Sequence, residues 1–124
     1  MDKYKFLINE LPPSVNAIWK HRRGGGVFKD IRARDWEEAA GYQLKRIKQP
    51  LIGELGLHLI FSFKSPKRLA QRDLDNLPKI ILDLLQEQGI VKNDNQFALI
   101  VLKKQIGTKD GILGFIFPYK QKTG

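Results

Sequence analysis

The side chains best equipped for chemistry are crowded into Arg72-Asp73-Leu74-Asp75-Asn76-Leu77-Pro78-Lys79. Two aspartates stand two residues apart, and a lysine follows the second at i,i+4, one helical turn on. Carboxylates held that close repel each other, so the pattern calls for positive charge between them. Lys79 is one source and a divalent cation is another. Magnesium prefers carboxylate oxygens and retained waters, and its protein sites commonly hold substrate phosphates as well. A capping aspartate, a loop aspartate and a surface ion pair would account for the same residues, and this pattern alone leaves both accounts open.

The elements around the pair follow from spacing. Leu74, Leu77, Ile81, Leu84 and Leu85 recur at three- and four-residue intervals, which predicts an amphipathic helix running to about Gln88. Asp75 suits its N-cap, and Pro78 is tolerated in the first turn, where its missing N–H has no partner to lose. Asp73 would then lie on the incoming loop. Gly89 stands where a C-cap glycine is expected, and the short extended piece and turn after it add a third acid, Asp94. If the next strand pairs with the preceding one, Asp94 could return beside the helix start; otherwise it lies at the far end.

Upstream, Tyr4 to Asn9 alternates as a strand and is ended by Leu11-Pro12-Pro13-Ser14. Ile31 to Lys48 reads as a helix with Ala33, Trp36, Ala40, Leu44 and Ile47 on its apolar stripe. Leu55 to Lys64 alternates with Leu57, Leu59, Phe61 and Phe63 on one face, and His58 on the other reads as structural. Phe97 to Gln105 and Ile112 to Phe117 read as strands, joined by an Asp110-Gly111 hairpin turn. These elements predict a single α+β domain over residues 1–124: one mixed sheet of about five strands with two main helices packed on it.

Charge points to the partner. Twenty-two basic residues against thirteen acidic ones leave the chain at +9, which suits a polyanionic partner, either nucleic acid or an anionic membrane surface. Lys20, His21, Arg22 and Arg23 adjoin Trp19 and precede three glycines, a combination fit for phosphate contact and base stacking. Lys67, Arg68 and Arg72 lie on a basic loop that leads directly to the paired aspartates. Cations around a carboxylate pair suit hydrolysis of a phosphodiester, where the cations steer the polyanion and the acids hold the metal. With no cysteine and two separated histidines, any metal is expected to be hard and oxygen-bound. No apolar run approaches the roughly 18 residues of a membrane span, and no signal peptide is evident, so a cytoplasmic protein without membrane contact is expected.

Three segments together carry a resemblance: Leu11-Pro12-Pro13-Ser14-x-Asn16, Arg72-Asp73-Leu74-Asp75-Asn76-Leu77-x-Lys79, and Asn93-Asp94-x-Gln96. In order and spacing the chain resembles the RusA family of Holliday-junction resolvases over nearly its whole length. The resemblance implies a small homodimeric, magnesium-dependent endonuclease that cuts four-way DNA junctions symmetrically, of a kind often carried by prophages. It places the three metal-binding acids on Asp73, Asp75 and Asp94 and the active-site lysine on Lys79. One departure is Asn93, where the family usually has an aspartate. Two other classes stay open: a non-catalytic DNA-binding module using only the basic loops, and a general metal-dependent nuclease for branched or single-stranded DNA.

Overall fold

A computed structural model describes residues 3–13, 19–21, 27–29, 31–72 and 77–120. The central strand is β4 (Leu55–Phe63), whose Leu57, Leu59, Phe61 and Phe63 are fully buried, as the alternation predicts. On one side it pairs in parallel with β5 (Phe97–Ile106), and on the other antiparallel with β6 (Gly111–Pro118). The edge strand β1 (Tyr4–Ile8) pairs antiparallel with β6, giving the order β1-β6-β4-β5. Two short strands, β2 (Trp19–His21) and β3 (Val27–Lys29), pair only with each other as a separate two-stranded sheet.

The main sheet therefore has four strands rather than about five. Ile90 and Val91 are extended and buried, but they add only a single bridge from Val91 to Leu51, because the chain turns again at Asp94. The expected hairpin between the last two strands is also absent. β5 and β6 stand on opposite sides of β4, about 10 Å apart at two strand spacings, too wide for a tight Asp-Gly turn. Residues 107–110 instead cross the end of β4, with Gly107 N–H donating to Phe63 O (3.0 Å) and the Asp110 carboxylate accepting from Lys64 N–H (2.8 Å).

Among the described residues there are three helices where two main ones were expected. α1 (Ile31–Gln43) ends five residues before the predicted Lys48. Its stripe still packs: Ala33, Trp36, Ala40 and Leu44 are buried and Ile47 lies against the core. The chain beyond it is held by the Tyr4 hydroxyl, which donates to Lys45 O. α2 (Pro66–Gln71) replaces the predicted basic loop, started by Ser65, whose Oγ accepts from Arg68 N–H, and by Pro66 in the first turn. α3 (Leu77–Glu87) buries Leu77, Ile80, Ile81, Leu84 and Leu85 and closes on Gly89 at φ +73°, a conformation glycine adopts without strain. These side chains join Tyr4, Phe6, Ile8, Ile112, Ile116 and the inward residues of β4 in one core. At the β1–β6 pair Gly114 faces Phe6, and any side chain there would collide with the Phe6 ring.

Candidate active site

The backbone entering the paired aspartates is held from three directions. α2 ends at Arg72, whose N–H donates to Leu69 O (3.4 Å). The Arg72 guanidinium turns inward and donates to Pro12 O (2.7 Å) and Pro13 O (3.3 Å). Burial, and then the positive charge of Arg68, lower its pKa, yet a guanidinium remains charged at any ordinary pH. From β5, the Lys104 ammonium donates to Leu69 O (2.7 Å) and Arg72 O (2.6 Å). The Pro-Pro segment is secured in turn by α1, since Trp36 Nε1–H donates to Glu10 O (2.9 Å). Two motifs about 60 residues apart are joined in this way: one supplies the carbonyls to which the other's arginine donates.

A groove of about 540 Å³ opens beside this arrangement, lined by Pro12, Pro13, Arg32, Asp35, Arg68 and Arg72 among others. Lys67 is exposed on α2. Arg68 forms an ion pair with Asp110 (2.7 Å), which ties α2 to the loop crossing the end of β4. Lys79 is exposed in the first turn of α3. Asp73 and Asp75, with the proposed N-cap, lie outside the described residues, as do Arg22 and Arg23. Lys20 and His21 fall on β2. His58 sits in mid-β4 on the sheet face opposite the core, against Phe115 with ring centroids 6.1 Å apart, the structural role expected of it.

Asp94 opens a 3₁₀ turn (Asp94–Gln96) immediately before β5. Because β5 runs parallel to β4, the chain must travel the length of α3 before β5 begins, and Phe97 pairs with Leu55 at the start of β4. Asp94 N–H accordingly meets Gln86 Oε1 (3.1 Å) in the last turn of α3. From Leu77 to Gln86 the helix axis advances about 14 Å. The next strand does pair with the preceding one, but in parallel, so Asp94 lies beside the far end of α3 from Lys79 and does not return to the helix start as that pairing was expected to bring about. Among the described residues, no three histidines, cysteines or acids lie close enough to share a metal ion.

The turn that presents Asp94 is tightly specified. Asn93 Oδ1 accepts from Asn95 N–H (3.0 Å), and Gln96 Oε1 accepts from Asn93 N–H (3.1 Å) and Lys92 N–H (3.0 Å). Gln96 Nε2 donates to Leu51 O (3.0 Å) and Gly53 O (3.1 Å). This is a capping box, and asparagine supplies the needed acceptor as well as aspartate does. The departure at Asn93 therefore leaves the turn intact. The sequence names Gln96 as the last residue of the Asn93-Asp94-x-Gln96 motif without giving it a role, and it does not single out Lys104. Gln96 carried a signal, three residues after a capping Asn93; Lys104 carried none, being one of two adjacent lysines in a strand.

The profile of the family described as Endodeoxyribonuclease RusA matches residues 10–113, a span that includes the Pro-Pro segment, the aspartate pair and the Asp94 turn. The chain belongs to the RusA family. Among its relatives is the crossover junction endodeoxyribonuclease RusA of Aquifex aeolicus, 27% identical over 121 residues, covering 97% of this chain and 95% of that protein. Another is the crossover junction endodeoxyribonuclease RusA of Enterobacteria phage HK97, 28% identical over 116 residues and covering 92% of each. Both alignments take in nearly the whole of this RusA-family chain, the described scaffold and the aspartate segment included.

Proposed function

We propose that this protein is a homodimeric, magnesium-dependent endodeoxyribonuclease that resolves four-way DNA junctions by paired nicks. The observation that carries this reading is the family match over residues 10–113, together with similarity over more than nine-tenths of the length of relatives named crossover junction endodeoxyribonucleases. The +9 charge, the cation-lined groove and the all-oxygen candidate ligands agree with it. Asp73, Asp75 and Asp94 would hold the magnesium ion, which when bound lowers the pKa of a water and offsets phosphate charge. Lys79, exposed at the start of α3, would donate to the phosphate as negative charge builds on it. Lys20, His21, Arg22, Arg23 and Lys67 would contact the DNA, whereas Arg68, paired with Asp110, and Arg72, turned onto the Pro12 and Pro13 carbonyls, would flank its path. No described helix is long and apolar enough to cross a membrane, and a cytoplasmic location fits a DNA substrate.

The separation of Asp94 from Lys79 along α3 supports a site shared between two copies, with Asp94 of one subunit completing the acids of the other. A two-fold dimer then has two such sites, as symmetric cutting of two strands requires.

The test is cleavage of a labelled four-way junction and a linear duplex, with and without magnesium, and mapping of the nicks. Symmetric, magnesium-dependent nicks on the junction alone are expected; scattered cuts or equal rates on duplex would refute the junction assignment. Mixing separately inactive Asp73→Asn and Asp94→Asn proteins tests the shared site. Exchange of subunits leaves one complete site in each mixed dimer, so nicking of one strand returns. If each site lies within one chain, the mixture stays inactive.

A further inference from the structure

We infer that Lys104 is a positioning residue for cleavage, acting by clamping the backbone from which the paired aspartates begin. It rests on the proposed nuclease function, because it assigns a role within that site.

Lys104, on the edge strand β5, pairs with Phe61 of β4 and projects to the same, helix-covered face as the buried Phe61 side chain. Its ammonium spends two of its three donors on main-chain carbonyls, Leu69 O at 2.7 Å and Arg72 O at 2.6 Å. Both carbonyls belong to the C-terminal end of α2, where a cation is favoured, and Leu69 O also accepts the long bond from Arg72 N–H (3.4 Å). Arg72 O has a special place, since it is the carbonyl of the peptide bond that joins Arg72 to Asp73. That peptide is held by Lys104 on its carbonyl, while the Arg72 side chain reaches across to Pro12 O and Pro13 O.

The base of the clamp is rigid. β5 is paired with β4 along its length, so the Lys104 Cα moves only if the sheet does. α2 by contrast has six residues, none fully buried, and is held mainly by Leu69 packed against the core and by the Arg68–Asp110 ion pair, so Lys104 adds the hold on its C-terminal end. A strand lysine thus transfers the rigidity of the sheet to a short helix and to the peptide leaving it. Direct contact with DNA does not suit Lys104, whose half-buried ammonium already points at the two carbonyls.

The experiment compares the parent protein with Lys104→Met and Lys104→Arg. Four quantities are read: junction binding without metal, single-turnover cleavage at saturating protein with magnesium, melting temperature, and amide hydrogen exchange over residues 69–77. For Lys104→Met, binding should stay within about twofold while cleavage falls about 10–100-fold, the loss typical of removing a group that orients a metal ligand. Exchange over residues 69–77 should quicken, and Lys104→Arg should recover part of both effects. Unchanged cleavage with a lower melting temperature would make Lys104 structural support only and overturn the inference. Binding and cleavage falling in parallel would make it a DNA contact, which also overturns it. If Lys104→Met does not fold, Lys104→Gln, which can donate to one carbonyl, carries the same comparison. If the parent protein cuts no junction, the proposed function fails by itself, and the exchange rates then decide the clamp.

Discussion

Replacing Gln96 by alanine removes four hydrogen bonds at once: two accepted from Lys92 N–H and Asn93 N–H, and two donated to Leu51 O and Gly53 O. These groups are partly exposed, so water takes over some of each bond, and the low end of the usual range, about 0.5 kcal/mol apiece, applies. The four together amount to about 2 kcal/mol. For a domain of this size, 1 kcal/mol moves the melting temperature by about 4 °C, so Gln96→Ala should melt roughly 8 °C below the parent. Gln96→Glu keeps both accepted bonds but turns an oxygen toward the Leu51 and Gly53 carbonyls, so it should lose at least the donated half, about 1 kcal/mol. Because the same bonds present Asp94, cleavage at a temperature where both proteins are folded should also slow, with junction binding retained. Calorimetric melting and single-turnover cleavage give the two numbers. A Gln96→Ala protein that melts within about 2 °C of the parent would show that water replaces these bonds at almost no cost. Parental cleavage alongside a full loss of stability would separate the turn from the chemistry.

Asp73→Asn, Asp75→Asn and Asp94→Asn should each abolish cleavage of a labelled junction, while binding persists or tightens because negative charge facing the phosphates is removed. A fully active Asp94→Asn protein would leave Asp94 as a turn residue. Neutralising Lys20, Arg22 and Arg23 together should weaken binding to any DNA and lower the slope of log affinity against log salt; an unchanged slope would assign that segment to solvent. Tyr4 gives a pH prediction. Burial raises its phenol pKa above the ordinary value, so the folded state favours the protonated hydroxyl that donates to Lys45 O. The stability this contributes is complete below about pH 10, the usual phenol pKa, and is lost as pH rises through the raised one. Urea midpoints measured from neutral to strongly alkaline pH should therefore fall more steeply for the parent than for Tyr4→Phe, and parallel curves would refute it.

Short-range patterns were legible in the chain. Alternation over Leu57, Leu59, Phe61 and Phe63, the spacing of Leu77, Ile81, Leu84 and Leu85, and Gly89 as a helix stop all reflect forces within one element: side chains seeking one face, and a backbone needing positive φ. The motif residues and the charge excess likewise identified the family and the class of substrate, because such residues are set by chemistry more than by packing. What the chain could not disclose was which elements meet. Asp110-Gly111 looks like a hairpin turn, yet β4 lies between the strands it joins. Pro66 to Gln71 looks like a basic loop, yet Ser65 caps a helix there, held by Lys104 and Asp110 from distant sequence. The position of Asp94 at the far end of α3 follows from the parallel pairing of β4 and β5. Strand pairing is decided by the combined burial of the whole core, so no local pattern records it, and the partners of the backbone leading to the aspartate pair were determined only by the tertiary fold.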